Sequence, residues 1–252
     1  MSGLAYFETP QQRRLAYHLT AGRSPGVVFL GGFMSDMDGT KALHLEDWAK
    51  REKRAFLRFD YSGHGKSEGS FSDGTIGAWA ADAMAAITTL TEGPQVLVGS
   101  SMGGWISLLC SKELSQTVIG LVTIAAAPDF TEDSFWAGFD ETQRTTLVQN
   151  GKIDLPSDYD EPYTITHRLI EEGRDNLILR SPLNLNIPVR FLQGTDDLEV
   201  DQSVALRLLS HANGDDIRLT LMKGADHRFS TPECLELIEN TLADMLTKLE
   251  SA

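Results

Sequence analysis

The 252-residue sequence predicts an α/β protein: a mostly parallel, doubly wound sheet with an antiparallel hairpin at its N-terminus and a helical insertion in its second half. Three observations carry this reading. Runs such as Val27-Val28-Phe29-Leu30 are apolar throughout, as in strands buried on both faces of a parallel sheet. Stretches with helical spacing alternate with these runs. That alternation breaks once, between about 129 and 188. A chain of this length suits one large α/β domain, so 1–252 reads as a single domain with the insertion inside it.

The elements follow in order. Tyr6-Phe7-Glu8 and Arg14 to Leu19 read as a hairpin with Pro10 in its turn. After the Val27–Leu30 strand comes Gly31-Gly32-Phe33, then helical spacing from Lys41 to Lys53 through Ala42, Leu45, Trp48 and Ala49. Ala55 to Phe59 is a strand closing in Asp60-Tyr61-Ser62-Gly63, and Ile76 to Leu90 is an Ala-rich helix. Val96 to Ser100 is the next strand, an apolar helix follows Ser101, and Val118 to Ala125 is another strand. The insertion carries helix-like pieces at Glu141–Gln149 and Thr164–Glu172 and the aromatics Phe130, Phe135, Trp136, Phe139 and Tyr163. Insertions at strand ends of such sheets sit over the ligand crevice, so it is expected to form a lid with aromatics lining a pocket. Val189 to Leu192 and Ile217 to Leu221 are strands flanking a Ser203–His211 helix. A final helix is expected to start at Ser230-Thr231-Pro232-Glu233, with Ser230 and Glu233 in capping-box spacing.

Composition narrows the partners. A net charge of −14 repels phosphate backbones and excludes nucleic acid. No apolar run reaches membrane-span length, so no integral membrane association is expected. The N-terminus shows no basic-then-apolar signal region, which predicts a cytoplasmic protein. Two cysteines, Cys110 and Cys234, each within a helical stretch, read as buried thiols of a reducing compartment. No His, Cys or carboxylate grouping has metal-site spacing, so neither metal nor cofactor is expected. Gly65-Lys66-Ser67 looks like the end of a P-loop, but the first glycine of that motif would fall at Asp60, and the match fails.

The chemistry centres on Gly99-Ser100-Ser101-Met102-Gly103, which fits G-x-S-x-G between a strand and a helix, the context of a nucleophile elbow. Only Ser101 has glycine at both minus two and plus two. A serine hydroxyl needs a base, and the base an orienting acid, in the chain order Ser, Asp or Glu, His. His18, His44 and His64 precede Ser101, His167 precedes every strand-end acid in the second half, and His211 closes a helix. His227, in a loop between the last strand and last helix, remains as the base. The acid lies within Gly194-Thr195-Asp196-Asp197-Leu198-Glu199-Val200. The G-x-x-D-x-x-V spacing selects Asp197 over Asp196, with Glu199 a third candidate. An oxyanion hole is expected from the backbone N–H groups of Met102 and Phe33. Trp105, Trp136 and Met34 are the expected substrate-contacting side chains.

With these pieces in order, the chain resembles the α/β-hydrolase superfamily. Within it, the chain is similar to the acyl-protein thioesterase and acyl-glucuronide esterase family of mitochondrial α/β-hydrolase domain-containing protein 10. The resemblance is carried by Gly32-Phe33-Met34-Ser35-Asp36-Met37-Asp38-Gly39-Thr40-Lys41-Ala42, Arg58-Phe59-Asp60-Tyr61-Ser62-Gly63, and Gly93 to Trp105. Leu155-Pro156-Ser157, Glu161-Pro162-Tyr163 and Asp226-His227-Arg228 match as well. Gly31-Gly32 stands where the family has HG or PG, and Val200-Asp201 where it has V-P. The resemblance implies a serine esterase or thioesterase, with catalytic roles on Ser101, Asp197 and His227 and a small-molecule or S-acylated protein substrate. The competing readings are a general carboxylesterase or aminopeptidase-like hydrolase and, from another class, a non-catalytic binding protein of the same fold.

Overall fold

The computed structural model describes residues 3–155 and 163–251. The chain opens with β1 (Ala5–Glu8), β2 (Arg14–Thr20) and β3 (Arg23–Leu30), then α1 (Thr40–Arg51) and β4 (Arg54–Phe59). Next come α2 (Ile76–Leu90), β5 (Gln95–Ser100), α3 (Met102–Glu113) and β6 (Val118–Ile124). The insertion holds α4 (Glu141–Asn150), β7 (Lys152–Leu155), β8 (Tyr163–Thr166), α5 (His167–Arg174) and β9 (Leu183–Asn184). The chain closes with β10 (Val189–Gly194), α6 (Gln202–His211), β11 (Ala212–Asn213), β12 (Ile217–Met222) and α7 (Pro232–Glu250).

Eight strands form the central sheet in the order β1-β2-β4-β3-β5-β6-β10-β12. β1/β2 and β2/β4 are antiparallel, and the remaining pairs are parallel. This is the expected α/β-hydrolase sheet with its N-terminal hairpin. Strand periodicity splits the apolar runs between two faces. Val28, Leu30 and Leu97 pack with Trp79 of α2 and Trp105 and Ile106 of α3. Val27, Phe29, Val96 and Val98 pack with Leu45 and Trp48 of α1 and Ile238 and Leu242 of α7. Both cysteines are free and buried, one on each face.

Local chemistry moves two expected boundaries. Thr164-Ile165-Thr166, read as the start of a helix, is strand: β8 pairs antiparallel with β7, Ile153 opposite Ile165, as β-branched residues favour. The helix begins only at His167, capped by the Thr166 hydroxyl, which accepts the Leu169 N–H at 3.1 Å. The last helix is capped by Thr231, not Ser230, because Pro232 occupies the first helical position and the residue before it must cap. Pro156-Ser157 and Glu161-Pro162 lie outside the described residues. The end of β6 and the far end of the insertion are tied by Asp129. This fully buried carboxylate accepts the Ile178 and Leu179 N–H groups at 2.8 and 3.0 Å and pairs with Arg180.

A buried histidine sets an acid limit on stability. His64 is 3% exposed among Tyr61, Phe71 and Trp79. Its Nδ1 faces the Ser62 carbonyl at 3.3 Å, while Nε2 has no partner among the described residues. Burial pulls its pKa from 6.5 to about 4, against the raising effect of the Ser62 hydrogen bond. The unfolded chain therefore takes up this proton near 6.5 while the native state holds off until about 4. Stability from this source is complete above pH 6.5 and falls as pH drops toward 4. The loss is about 1.4 kcal/mol per pH unit, about 3 kcal/mol in all. Urea unfolding of wild type and His64→Phe between pH 7.5 and 4.5 is expected to show a markedly shallower pH slope in the variant. Equal slopes would contradict this account.

Candidate active site

The site assembles at the C-terminal ends of the parallel strands, the position ligands take in open α/β sheets. Ser101 follows β5 at φ 54°, ψ −118°, a strained turn that lifts its side chain from the sheet before α3 begins. The glycines around it are required by contact. A Cβ on Gly99 would lie 2.3 Å from the Gly103 carbonyl oxygen, and one on Gly103 would lie 2.1 Å from that of Leu30. Both obstacles are backbone, so Gly103→Ala is expected to lower unfolding free energy by about 2 kcal/mol or more in chemical denaturation. An unchanged midpoint would contradict the tight elbow.

Ser101 Oγ is 3.1 Å from His227 Nε2. His227 Nδ1 is 2.9 Å from Asp197 Oδ2 and 3.1 Å from Oδ1. A neutral imidazole that donates its Nδ1 proton to Asp197 keeps an Nε2 lone pair for the serine proton. Asp197 is 7% exposed and also accepts the N–H groups of Val200 (2.8 Å) and Glu199 (3.0 Å) and the Gln193 amide (2.9 Å). Burial pushes its carboxyl up, but the hydrogen bonds from His227, Val200 and Gln193 and the His227 charge outweigh it and hold it below the usual carboxylate range. Asp196 points to solvent, bonded to its neighbour Thr195 at 3.0 Å. Glu199 approaches the opposite ring nitrogen, His227 Nε2, at 3.5 Å and is largely exposed.

Gly32 backs directly onto Ser101, with room for only 3.4 Å between an added Cβ and Ser101 Cβ. That closeness brings the next residue, Phe33, to the cleft. Met102 is the first residue of α3, so its N–H has no intrahelical partner. The Phe33 loop is held from β4. Asp60 accepts the Met37 N–H at 2.6 Å and the Lys66 N–H at 2.7 Å, and Arg58 donates to the Met37 carbonyl at 3.0 Å. The Gly63–Ser67 turn is thus a brace for this loop, with Ser67 Oγ donating to the Asp60 carbonyl at 2.6 Å.

A cavity of about 780 Å³ opens over Ser101. Its lining includes an aromatic group, Phe130, Phe135 and Tyr163 in ring contact with Phe33, and also Met34. Its charged lining residues are Asp36, Lys41, Glu199 and Arg228, of which Lys41 meets the Arg228 carbonyl and Glu199 faces His227. Met34, at φ 53°, is among the lining residues. Trp105 and Trp136 are not. Trp105 faces the core, fully buried, its indole N–H donating to the Asn176 carbonyl at 3.1 Å. Trp136 turns outward between the guanidinium groups of Arg144 (5.3 Å) and Arg174 (4.9 Å). A π-helical stretch, Thr131–Trp136, sets these directions and leaves Phe130 and Phe135 facing Phe33 at 5.6 and 6.0 Å. Lys41 stood out in the sequence only as part of the Gly32–Ala42 match and of a stretch with helical spacing. His211 is bound to the Ile178 and Ser181 carbonyls at 3.1 and 2.8 Å, far from this chemistry.

Fold and site together are those of a serine hydrolase. Residues 27–233 match the alpha/beta hydrolase family. The chain is 34% identical, over 99% of its length and 82% of the relative's, to the palmitoyl-protein thioesterase ABHD10, mitochondrial, of Bos taurus. It superposes on the structure of alpha/beta hydrolase domain-containing protein 10 from mouse with a TM-score of 0.91, at 32% identity, covering 98% of this chain and 100% of that one. A crystal structure of an Agrobacterium vitis S4 protein gives a TM-score of 0.93 at 37% identity, covering 97% and 99%. The chain belongs to the alpha/beta hydrolase family and, within it, to the family of ABHD10. The relatives correct one expectation. The Bos taurus, Rattus norvegicus, Pongo abelii, Homo sapiens and Mus musculus proteins are all mitochondrial by name, which overturns the cytoplasmic placement read from the N-terminus. Among the described residues no helix is long and apolar enough to cross a membrane.

Proposed function

We propose that this serine hydrolase of esters and thioesters cleaves S-acyl thioesters through a Ser101–His227–Asp197 triad and an acyl-enzyme. The observation that carries the reading is the continuous chain of contacts from Ser101 Oγ through both ring nitrogens of His227 to Asp197. His227 Nε2 takes the serine proton as Oγ attacks the acyl carbonyl, and Asp197 holds the ring and stabilises the imidazolium. The N–H groups of Phe33 and Met102 receive the oxyanion. Collapse of this intermediate expels the thiolate, which His227 protonates. Water, activated by the same nitrogen, then releases the carboxylic acid and frees Ser101.

The Phe33, Phe130, Phe135 and Tyr163 wall suits a fatty acyl chain, and the relatives are palmitoyl-protein thioesterases by name. In this reading residues from about 129 to 188 form a lid on a single domain, and the substrate is an S-acylated protein or a small acyl compound such as an acyl glucuronide. The test is a panel of thioesters, esters and amides with acyl chains of two to sixteen carbons, assayed on wild type and Phe135→Ala. Thioesters are expected to turn over fastest, amides not at all, and the variant to lose preference for long chains. Amide cleavage matching thioester cleavage would favour the aminopeptidase-like alternative, for which Glu199 and Asp36 would supply the amine contacts.

A further inference from the structure

We propose that the Lys41 side of the cleft is a subsite for a negatively charged, carboxylate-bearing leaving group, with the Lys41 ammonium as its counter-charge. The inference rests on the reading of Ser101 as nucleophile and adds the chemistry of the group that departs.

Geometry fixes where that group lies. The departing sulfur or oxygen must take its proton from His227 Nε2, so the rest of the leaving group extends along the His227 side of the cleft. The cavity residues there are Lys41 from α1, Glu199 from the loop after β10, and Arg228, next to His227 itself. The aromatic group around Phe33 is left for the acyl chain.

The charges of the cleft and of the His227 loop are not equally committed. Glu199 faces His227 Nε2 at 3.5 Å. Asp36 accepts the Asp38 N–H at 2.9 Å, and Asp226 accepts the Phe229 N–H at 3.0 Å. Lys41 Nζ instead donates to a neutral group, the backbone carbonyl of Arg228. Among the described residues no carboxylate lies within 4.0 Å of it. Burial pulls the ammonium from 10.5 down to about 8, against the raising pull of Asp226, Cys234 and Glu199, while Arg228 lowers it further. A cation that has lost water without gaining an ion-pair partner is held at a cost, and an arriving anion removes that cost. The ammonium has three donors, and the Arg228 carbonyl uses one, so a carboxylate can be met by another.

The experiment compares octanoyl thioesters that differ only in the thiol: 3-mercaptopropionate, its neutral methyl ester, and cationic thiocholine. The readout is a ratio of kcat/KM values, which damage to folding does not move. Wild type is expected to favour the carboxylate over its methyl ester by about tenfold, mostly through KM, and to disfavour the thiocholine ester. Lys41→Met and the milder Lys41→Gln are expected to bring that ratio to about one, while Lys41→Arg preserves the preference. A ratio near one in wild type, or one that survives in Lys41→Met and Lys41→Gln, overturns the subsite. Ser101→Ala, run on the same three substrates, keeps the two readings separate: turnover persisting there would overturn the nucleophile and not the subsite.

Discussion

Replacing Ser101 by alanine is expected to lower kcat on any thioester that the wild type hydrolyses by about 10⁵- to 10⁶-fold, with KM nearly unchanged. In the proposed mechanism the hydroxyl makes the acyl-enzyme, and alanine offers no oxygen to replace it. Ser100, one residue earlier, is buried at the end of β5, and among the described residues it makes no hydrogen bond to His227. What survives comes from the cleft and the oxyanion donors, which Ala leaves in place. The fold should be untouched, since the turn at Ser101 is set by the glycines around it and not by its side chain. Steady-state kinetics with a thermal melt on the same preparation checks both halves of this expectation. A loss below a hundredfold with an unchanged melt would contradict the nucleophile assignment.

The second large effect separates two adjacent aspartates. Asp197→Asn is expected to cost about 10⁴-fold in kcat, because an amide no longer fixes the imidazole tautomer or stabilises the imidazolium. The Asn oxygen can still accept the Val200 and Glu199 N–H groups, so the loop keeps its shape. Asp196→Asn should leave kcat within a few-fold of wild type. Its carboxylate lies in solvent, and its backbone N–H, which bonds the Ala225 carbonyl at 3.0 Å, is unchanged by the substitution. Equal losses in the two variants would leave no reason to prefer Asp197.

The contrast between these aspartates shows what a sequence can carry. The sheet was legible because a strand buried on both faces leaves a mark in every residue, as Val27 to Leu30 and Val96 to Ser100 do. Ser101 was legible because the elbow forbids a Cβ at Gly99 and Gly103. His227 and Asp197 followed from chain order and from the turn that Val200 closes. Direction around a helix or an irregular stretch left no such mark. Trp105 and Trp136 had the right chemistry for a pocket, yet one points into the core and the other between two arginines. Lys41 looked like an ordinary surface lysine on α1. Only the fold brings its ammonium against the Arg228 carbonyl, at the wall of the cleft that holds His227. Thr164 to Thr166 became strand only because β7 was there to pair with them.

The central claim is a covalent one, that the acyl group passes through Ser101 Oγ. Labelling the wild-type protein with a fluorophosphonate, followed by peptide mapping by mass spectrometry, tests it most directly. The account predicts one adduct per chain, on the Ser101 oxygen, and no labelling in Ser101→Ala. An adduct on Ser100 or elsewhere, or labelling that persists in Ser101→Ala, would contradict it.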